Sequence, residues 1–237
     1  MKIFKNLTIL ATLYFLGVTF LYAASGSGLA TVYKINVNKL ELCETGSSLT
    51  TCLNPITVSK AGLSTDVDLA SITAGEAAAT LGNFGLAKSG VTYTYVQMTM
   101  NRAITIKGSA TADSTVCYTK GDGNLNGTHG VAETTSGDST EATLYVPPFV
   151  DPTNYPQINS VGDATGAGAR IAGTVNASDT HFQARQALAA PFILDPTAIP
   201  TVKVAFGTAK AVTVSNGASC DGAARMYATP PDATITI

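Results

Sequence analysis

Tyr33-Lys34-Ile35-Asn36-Val37-Asn38-Lys39-Leu40-Glu41-Leu42 is the stretch whose pattern decides the fold class. Tyr33, Ile35 and Val37 alternate with Lys34, Asn36 and Asn38, the period-two pattern of a strand with one buried face. The phase then reverses, because Leu40 and Leu42 fall on even positions. A one-residue slip turns the buried side of a strand outward, so the reversal predicts a β-bulge at Asn38 and Lys39.

Working outward, similar short apolar or alternating runs predict strands over 54–59, 66–72, 92–100, 103–108 and 114–119. Later ones are expected over 142–146, 169–175, 201–206, 211–214, 225–229 and 233–237. Val96, Met98 and Met100 share one face, and Tyr93 and Tyr95 take the other. Arg102 would break the apolar face if that strand continued straight to Ile104 and Ile106, so a turn or bulge is expected at Asn101 and Arg102. Val202, Val204 and Phe206, then Gly207 to Lys210, then Val212 and Val214 read as a hairpin. Residues 178–190 read two ways. Ser178 or Asp179 as N-cap and Pro191 as stop fit a helix, whereas Phe182, Ala184, Leu188 and Ala190 also fit one face of a strand. Residues 121–141 read as a long polar loop. These elements predict an all-β fold, an antiparallel β-sandwich or barrel with long polar loops and at most one short helix, and the sandwich is the form expected. Residues 25–237 form a single large domain in this reading.

Composition narrows the function. The chain has 237 residues, 14 Lys+Arg against 16 Asp+Glu, two His, no Trp and 13% charged residues. An ordinary domain carries about 25% charged residues, so neutral Thr, Ser, Asn and Gly must cover much of this surface. Nucleic-acid binding is excluded as an expectation, since it needs clustered Lys and Arg. A 45% apolar content with net charge −2 also argues against disorder.

Lys2 and Lys5, the uncharged run Leu7 to Tyr22, and the small residues Ala23 to Gly26 predict a secretory signal peptide over 1–24. The run is shorter than the roughly 20 residues of a membrane-spanning helix, so cleavage is expected and no span remains after it. Removing Lys2 and Lys5 leaves 12 basic against 16 acidic residues, a net −4. The expected location is periplasmic, cell-surface or extracellular. Export makes the four cysteines readable as two disulfides, for which three pairings exist. Cys43 and Cys52 flank a turn-rich octet suited to closing a hairpin, and Cys117 and Cys220 then pair across a long span. A zinc site is the alternative, but no C-x-x-C occurs and neither His lies near a Cys in sequence.

One motif carries metal chemistry. Asp122-Gly123-Asn124-Leu125-Asn126-Gly127, with Glu133 five residues on, fits the calcium-loop spacing. Alternate oxygens and a distal bidentate carboxylate wrap a hard cation in such loops, and the Gly allows a sharp turn. Asp122, Asn124, Asn126, Thr128 through its carbonyl, and Glu133 are the candidate ligands, and calcium is the one cofactor suggested. The competing reading is a polar surface loop, since no helices flank the motif and His129 stands where an apolar anchor belongs. For hydrolysis, His129 and His181 lack a surrounding nucleophile motif, and no G-x-S-x-G occurs. No catalytic residues are assigned.

Three segments, Tyr33 to Leu42, Val67 to Ile72 and Gly90 to Met100, resemble in order a group of uncharacterised bacterial secreted domains with prealbumin-like sandwiches. The resemblance covers about residues 31–108. It implies an exported β-sandwich domain of prealbumin or immunoglobulin-like type without an assigned activity. The expected function is therefore a structural or binding protein without catalysis. Its partners would be copies of itself or other cell-surface components. The alternatives are a filament or pilus-like subunit joined by strand addition, using residues 28–37 or 233–237 as donor, and a calcium-stabilised carbohydrate-binding module.

Overall fold

A computed structural model describes residues 25–59, 65–71, 82–123, 130–146, 158–160, 179–198, 200, 203–215, 220, 224–229 and 231–237. The predicted signal peptide and the strand expected over 169–175 lie outside them. Fifteen strands join into one network dominated by antiparallel pairing. In chain order they are β1 (Ser25–Gly28), β2 (Ala30–Glu44), β3 (Ile56–Thr57), β4 (Thr65–Asp68), β5 (Thr92–Asn101), β6 (Ala103–Ala112), β7 (Thr115–Gly121) and β8 (Gly130–Glu133). There follow β9 (Ala142–Tyr145), β10 (Ile158–Ser160), β11 (His181–Ile193), β12 (Lys203–Gly207), β13 (Val212–Ser215), β14 (Arg225–Ala228) and β15 (Asp232–Thr236). Two 3-10 turns, Phe84–Leu86 and Ser136–Asp138, are the helical elements among the described residues.

β2 is the spine. Tyr33, Ile35, Val37, Leu40 and Leu42 are all buried, and the change of phase is the expected bulge, since Val37 faces Met100 while Lys39 faces Thr99. β5 and β6 run in one direction along the same edge of β2. Three steps along β2, from Lys34 to Val37, match five along that partner, from Thr105 to Met100. The two extra residues make a bulge rather than a turn at Asn101 and Arg102. On its far side this long strand meets β11, then β9, then β7.

Arg102 sits where β11 gives way to β9 and is 1% exposed. Its amide donates to Thr180 O at 2.9 Å and its carbonyl accepts from Val146 N at 3.0 Å. The guanidinium Nε donates to Val146 O at 3.1 Å and Nη1 to Asp179 O at 3.0 Å. A bulge leaves backbone groups off the ladder. The planar fork of Arg102 satisfies two carbonyls at the junction at once, which a lysine cannot reproduce.

The other sheet region follows the order β1–β13–β14–β8–β7–β6 and curls until β1 lies beside β6. Ser109 N donates to Leu29 O at 3.0 Å. A Cβ on Gly28 would stand 2.7 Å from Ala110 Cα, and one on Gly108 2.9 Å from Ala30 Cα, so these backbones touch because neither residue has a side chain.

Of the two readings of 178–190 the strand holds: residues 181–190 lie in β11, where Phe182, Ala184 and Gln186 stand opposite Met100, Met98 and Val96, so the open edge of β5 outweighs local helix preference. Two expectations are corrected. The runs around Gly207 to Lys210 do not make a hairpin, because β12 pairs with β15 whereas β13 pairs with β1 and β14. Part of the polar stretch 121–141 is strand: β8 pairs with β7 and β14, with Gly130 and Ala132 buried.

Both disulfides have the expected pairing. Cys43–Cys52 closes the loop after β2, and Cys117–Cys220 ties β7 to the segment before β14. They fit an oxidising, exported location. No helix among the described residues is long and apolar enough to cross a membrane.

The buried apolar residues form one cluster. Between the core faces of β2, β5 and β11 and the residues Phe206, Pro231 and Ala233 there remains a cavity of about 120 Å³.

Candidate functional site

The face of β2, β5 and β11 opposite that core is polar. Register alone builds it. Glu41 faces Gln97, which faces Arg185, and Lys39 faces Thr99, which faces Gln183. A third row joins His181 to Asn101 by register and Asn101 to Asn38 by a 2.8 Å hydrogen bond from Asn38 Nδ2.

The first row is buried, with Glu41 at 4%, Gln97 at 4% and Arg185 at 7% exposure. Gln97 Nε2 donates to Glu41 Oε2 at 2.8 Å, and Lys39 Nζ lies 2.6 Å from Glu41 Oε1. Arg185 Nη1 reaches Leu49 O at 3.3 Å, so the loop closed by Cys43–Cys52 extends over the row. Burial pushes the Arg185 guanidinium below its usual pKa, and the Glu41 carboxylate opposes that shift. Gln97 Oε1 and Arg185 Nε are buried without a hydrogen-bond partner among the described residues. One is an acceptor and the other a donor, on facing residues. Buried polar atoms are costly to leave unpaired, so this row is the most demanding polar arrangement on the face.

In the third row His181 Nδ1 lies 2.8 Å from Thr180 Oγ1. Burial lowers the imidazole pKa. A hydroxyl beside an imidazole is half of a nucleophilic arrangement. Among the described residues no carboxylate is hydrogen-bonded to the ring to orient it, which triad chemistry requires.

The candidate calcium ligands are only partly described. Asn124, Asn126 and Thr128 lie outside the described residues, as does His129. Asp122 Oδ1 accepts from Thr143 N at 2.6 Å and so caps the edge of β9. Glu133 Oε1 accepts from Thr134 N at 2.7 Å and Thr135 N at 3.1 Å, and its Oε2 is 3.6 Å from Lys120 Nζ. The Thr135 and Thr134 amides chiefly hold the Glu133 carboxyl below the usual range. Among the described residues no three His, Cys, Asp or Glu side chains gather as metal ligands.

Sequence reasoning missed the Glu41–Gln97–Arg185 row. Each residue reads singly as an outward polar position on its strand. Only the register between three distant segments brings them together.

No family model, no curated protein and no solved structure matches this chain. The segments that carry the prealbumin-like resemblance are neighbours in space where described, since β4 and β5 flank β2.

Proposed function

We propose that the chain is an exported, non-catalytic structural or binding module, built as a β-sandwich and working in the periplasm or at the cell surface. The observation that carries this reading is the use of its buried polar groups. Arg102 staples strand ends, Thr119 bridges Gly108 N and Thr140 O, and Glu41 is held between Lys39 and Gln97. These groups brace the sheets and do not converge on a reacting centre. Two disulfides and a weakly charged surface support an exterior life.

Fractionation of expressing cells, with assays on glycan, ester and peptide panels, tests this. The protein is expected outside the cytoplasm and without turnover. Turnover abolished by His181→Ala or Thr180→Ala would replace the module with a hydrolase.

A filament subunit is the second reading, favoured by one feature. Among the described residues β12 pairs only with β15, and no described strand covers its other edge, the kind of edge that strand addition uses. The proposed donors are less apt, because residues 28–37 and β15 are already paired within the chain. Electron microscopy of exported material separates the two readings: filaments support the second and monodisperse particles the first.

A further inference from the structure

We infer that the cavity on the core side of β2, β5 and β11 is a binding site for a neutral, apolar molecule about the size of one aromatic ring. Its deep wall is Tyr33, Ile35, Ile104, Val146 and Phe182, all at most 5% exposed. Its rim is half-buried: Met98, Ala184 and Gln186 on the sheet side, Phe206, Pro231 and Ala233 opposite.

Size and chemistry select the ligand. The volume of about 120 Å³ is close to the roughly 150 Å³ of an apolar cavity that stays dry and takes up benzene. The Tyr33 hydroxyl already donates to Thr229 O at 3.1 Å. Gln186 at the rim is then the one side-chain amide of the lining and Arg185 its one charged residue; the Arg185 guanidinium reaches over the polar row to Leu49 O at 3.3 Å, so a charged or polyhydroxylated guest would lose its hydration with little replacement. Two methionines in the lining suit this role, because an unbranched thioether side chain adapts its shape and its sulfur contacts aromatic rings favourably. The rim also has a way to part. Phe206 and Ala233 belong to β12 and β15, which among the described residues join the main sheet through the pairing of Leu188 with Ile235. Apart from Arg185, no residue of the polar rows lines the cavity, so its test does not depend on whether those rows contact a partner.

The test uses the full, disulfide-bonded protein with benzene as probe and methyl-labelled methionine as reporter. Met98 and Met100 line the cavity, whereas Met226 is buried in β14 and serves as internal reference. Saturable movement of the Met98 and Met100 methyl signals with Met226 unmoved is expected. At benzene ten times its Kd, Tm should rise by about 3–6 °C. Ala184→Leu fills the rim and should abolish both effects while leaving the Met226 signal in place. Ala184→Val is read instead if the larger residue prevents folding. The inference is overturned if Met98 and Met100 do not respond, if Met226 moves equally, or if the filled variant binds as well as the parent.

Discussion

Replacing Arg102 by Met keeps the length of the side chain and removes its charge and its hydrogen bonds to Val146 O and Asp179 O, and nothing of the backbone. The structure sets the size of the effect. Two donor bonds from a charged group, to Val146 O and Asp179 O, are lost from a site 1% exposed, each worth about 1.5–3 kcal/mol. The field of the Asp179 carboxylate favours the charged guanidinium, against the burial that lowers its pKa. Asp179 is itself 2% exposed, so removing the cation takes one favourable charge from the surroundings of a buried acid. The two hydrogen bonds together set an expected loss of about 3–5 kcal/mol. With a urea slope of about 2 kcal/mol per molar, the unfolding midpoint should fall by roughly 1.5–2.5 M. The double variant R102M/D179N removes both charges and should regain at least about 2 kcal/mol over R102M, which urea titration of the four proteins in the cycle measures. A midpoint drop below about 0.5 M for R102M, or strict additivity in the cycle, would refute the account of Arg102 as a charged staple.

Three other outcomes follow from the same structure. Gly28→Ala pushes a methyl against Ala110 Cα and should destabilise by about 3 kcal/mol, whereas Gly90→Ala, with φ +75° and open space, should cost only about 1 kcal/mol. Equal losses by thermal melting would mean that β1 and β6 can move apart freely. Replacing both cysteines of a pair by Ala should cost about 4.7 kcal/mol for Cys117–Cys220, whose separation is 103, and about 2.7 kcal/mol for Cys43–Cys52, whose separation is 9. The reverse order in chemical denaturation would show that loop length is not what sets their value. Glu133 is held below its ordinary pKa of 4.5 by the Thr135 and Thr134 amides, and Asp195 below 3.8 by the hydroxyl and amide of Thr197. A folded pKa below the unfolded one gives stability that is present above the unfolded value and lost as pH falls through the folded one. Tm should therefore decline on acidification below about pH 4.5, less steeply in a Glu133→Gln, Asp195→Asn variant; an unchanged slope would exclude these two carboxyls as its source.

How much was legible differs by residue. The bulge at Asn38 and Lys39 could be read because one strand's alternation records its own slip. The interruption at Arg102 was visible as a charge in an apolar face, though its role as a staple depends on Thr180 and Val146, which are remote in sequence. Cysteine spacing pointed to the pairing that the structure shows. Residues 203–215 misled because local turn signals mark where a strand ends and carry no record of which edge it next joins. Strand β8 was hidden for a related reason: a Cβ on Gly130 would stand 2.3 Å from Leu144 Cδ2 and 2.9 Å from Gly121 O, so a glycine that reads as loop is required within the strand. The polar rows and the apolar cavity are products of register among β2, β5 and β11, which no window of sequence contains.

Ser25 faces Ser215, and β1 otherwise rests on β6. A chain that leaves the cytoplasm N-terminus first therefore delivers its first strand long before the strand that pairs with it. Cys117 meets the same delay, waiting for Cys220. Until residues 212–228 emerge, β1 and the edge of β8 that β14 covers remain open to foreign strands, and Cys117 to foreign thiols. Such long-range closure is slow and exposed to misassembly. The demand that this fold places on its compartment is thus one of timing: protection of unfinished edges, and oxidation late enough that the correct cysteine has arrived.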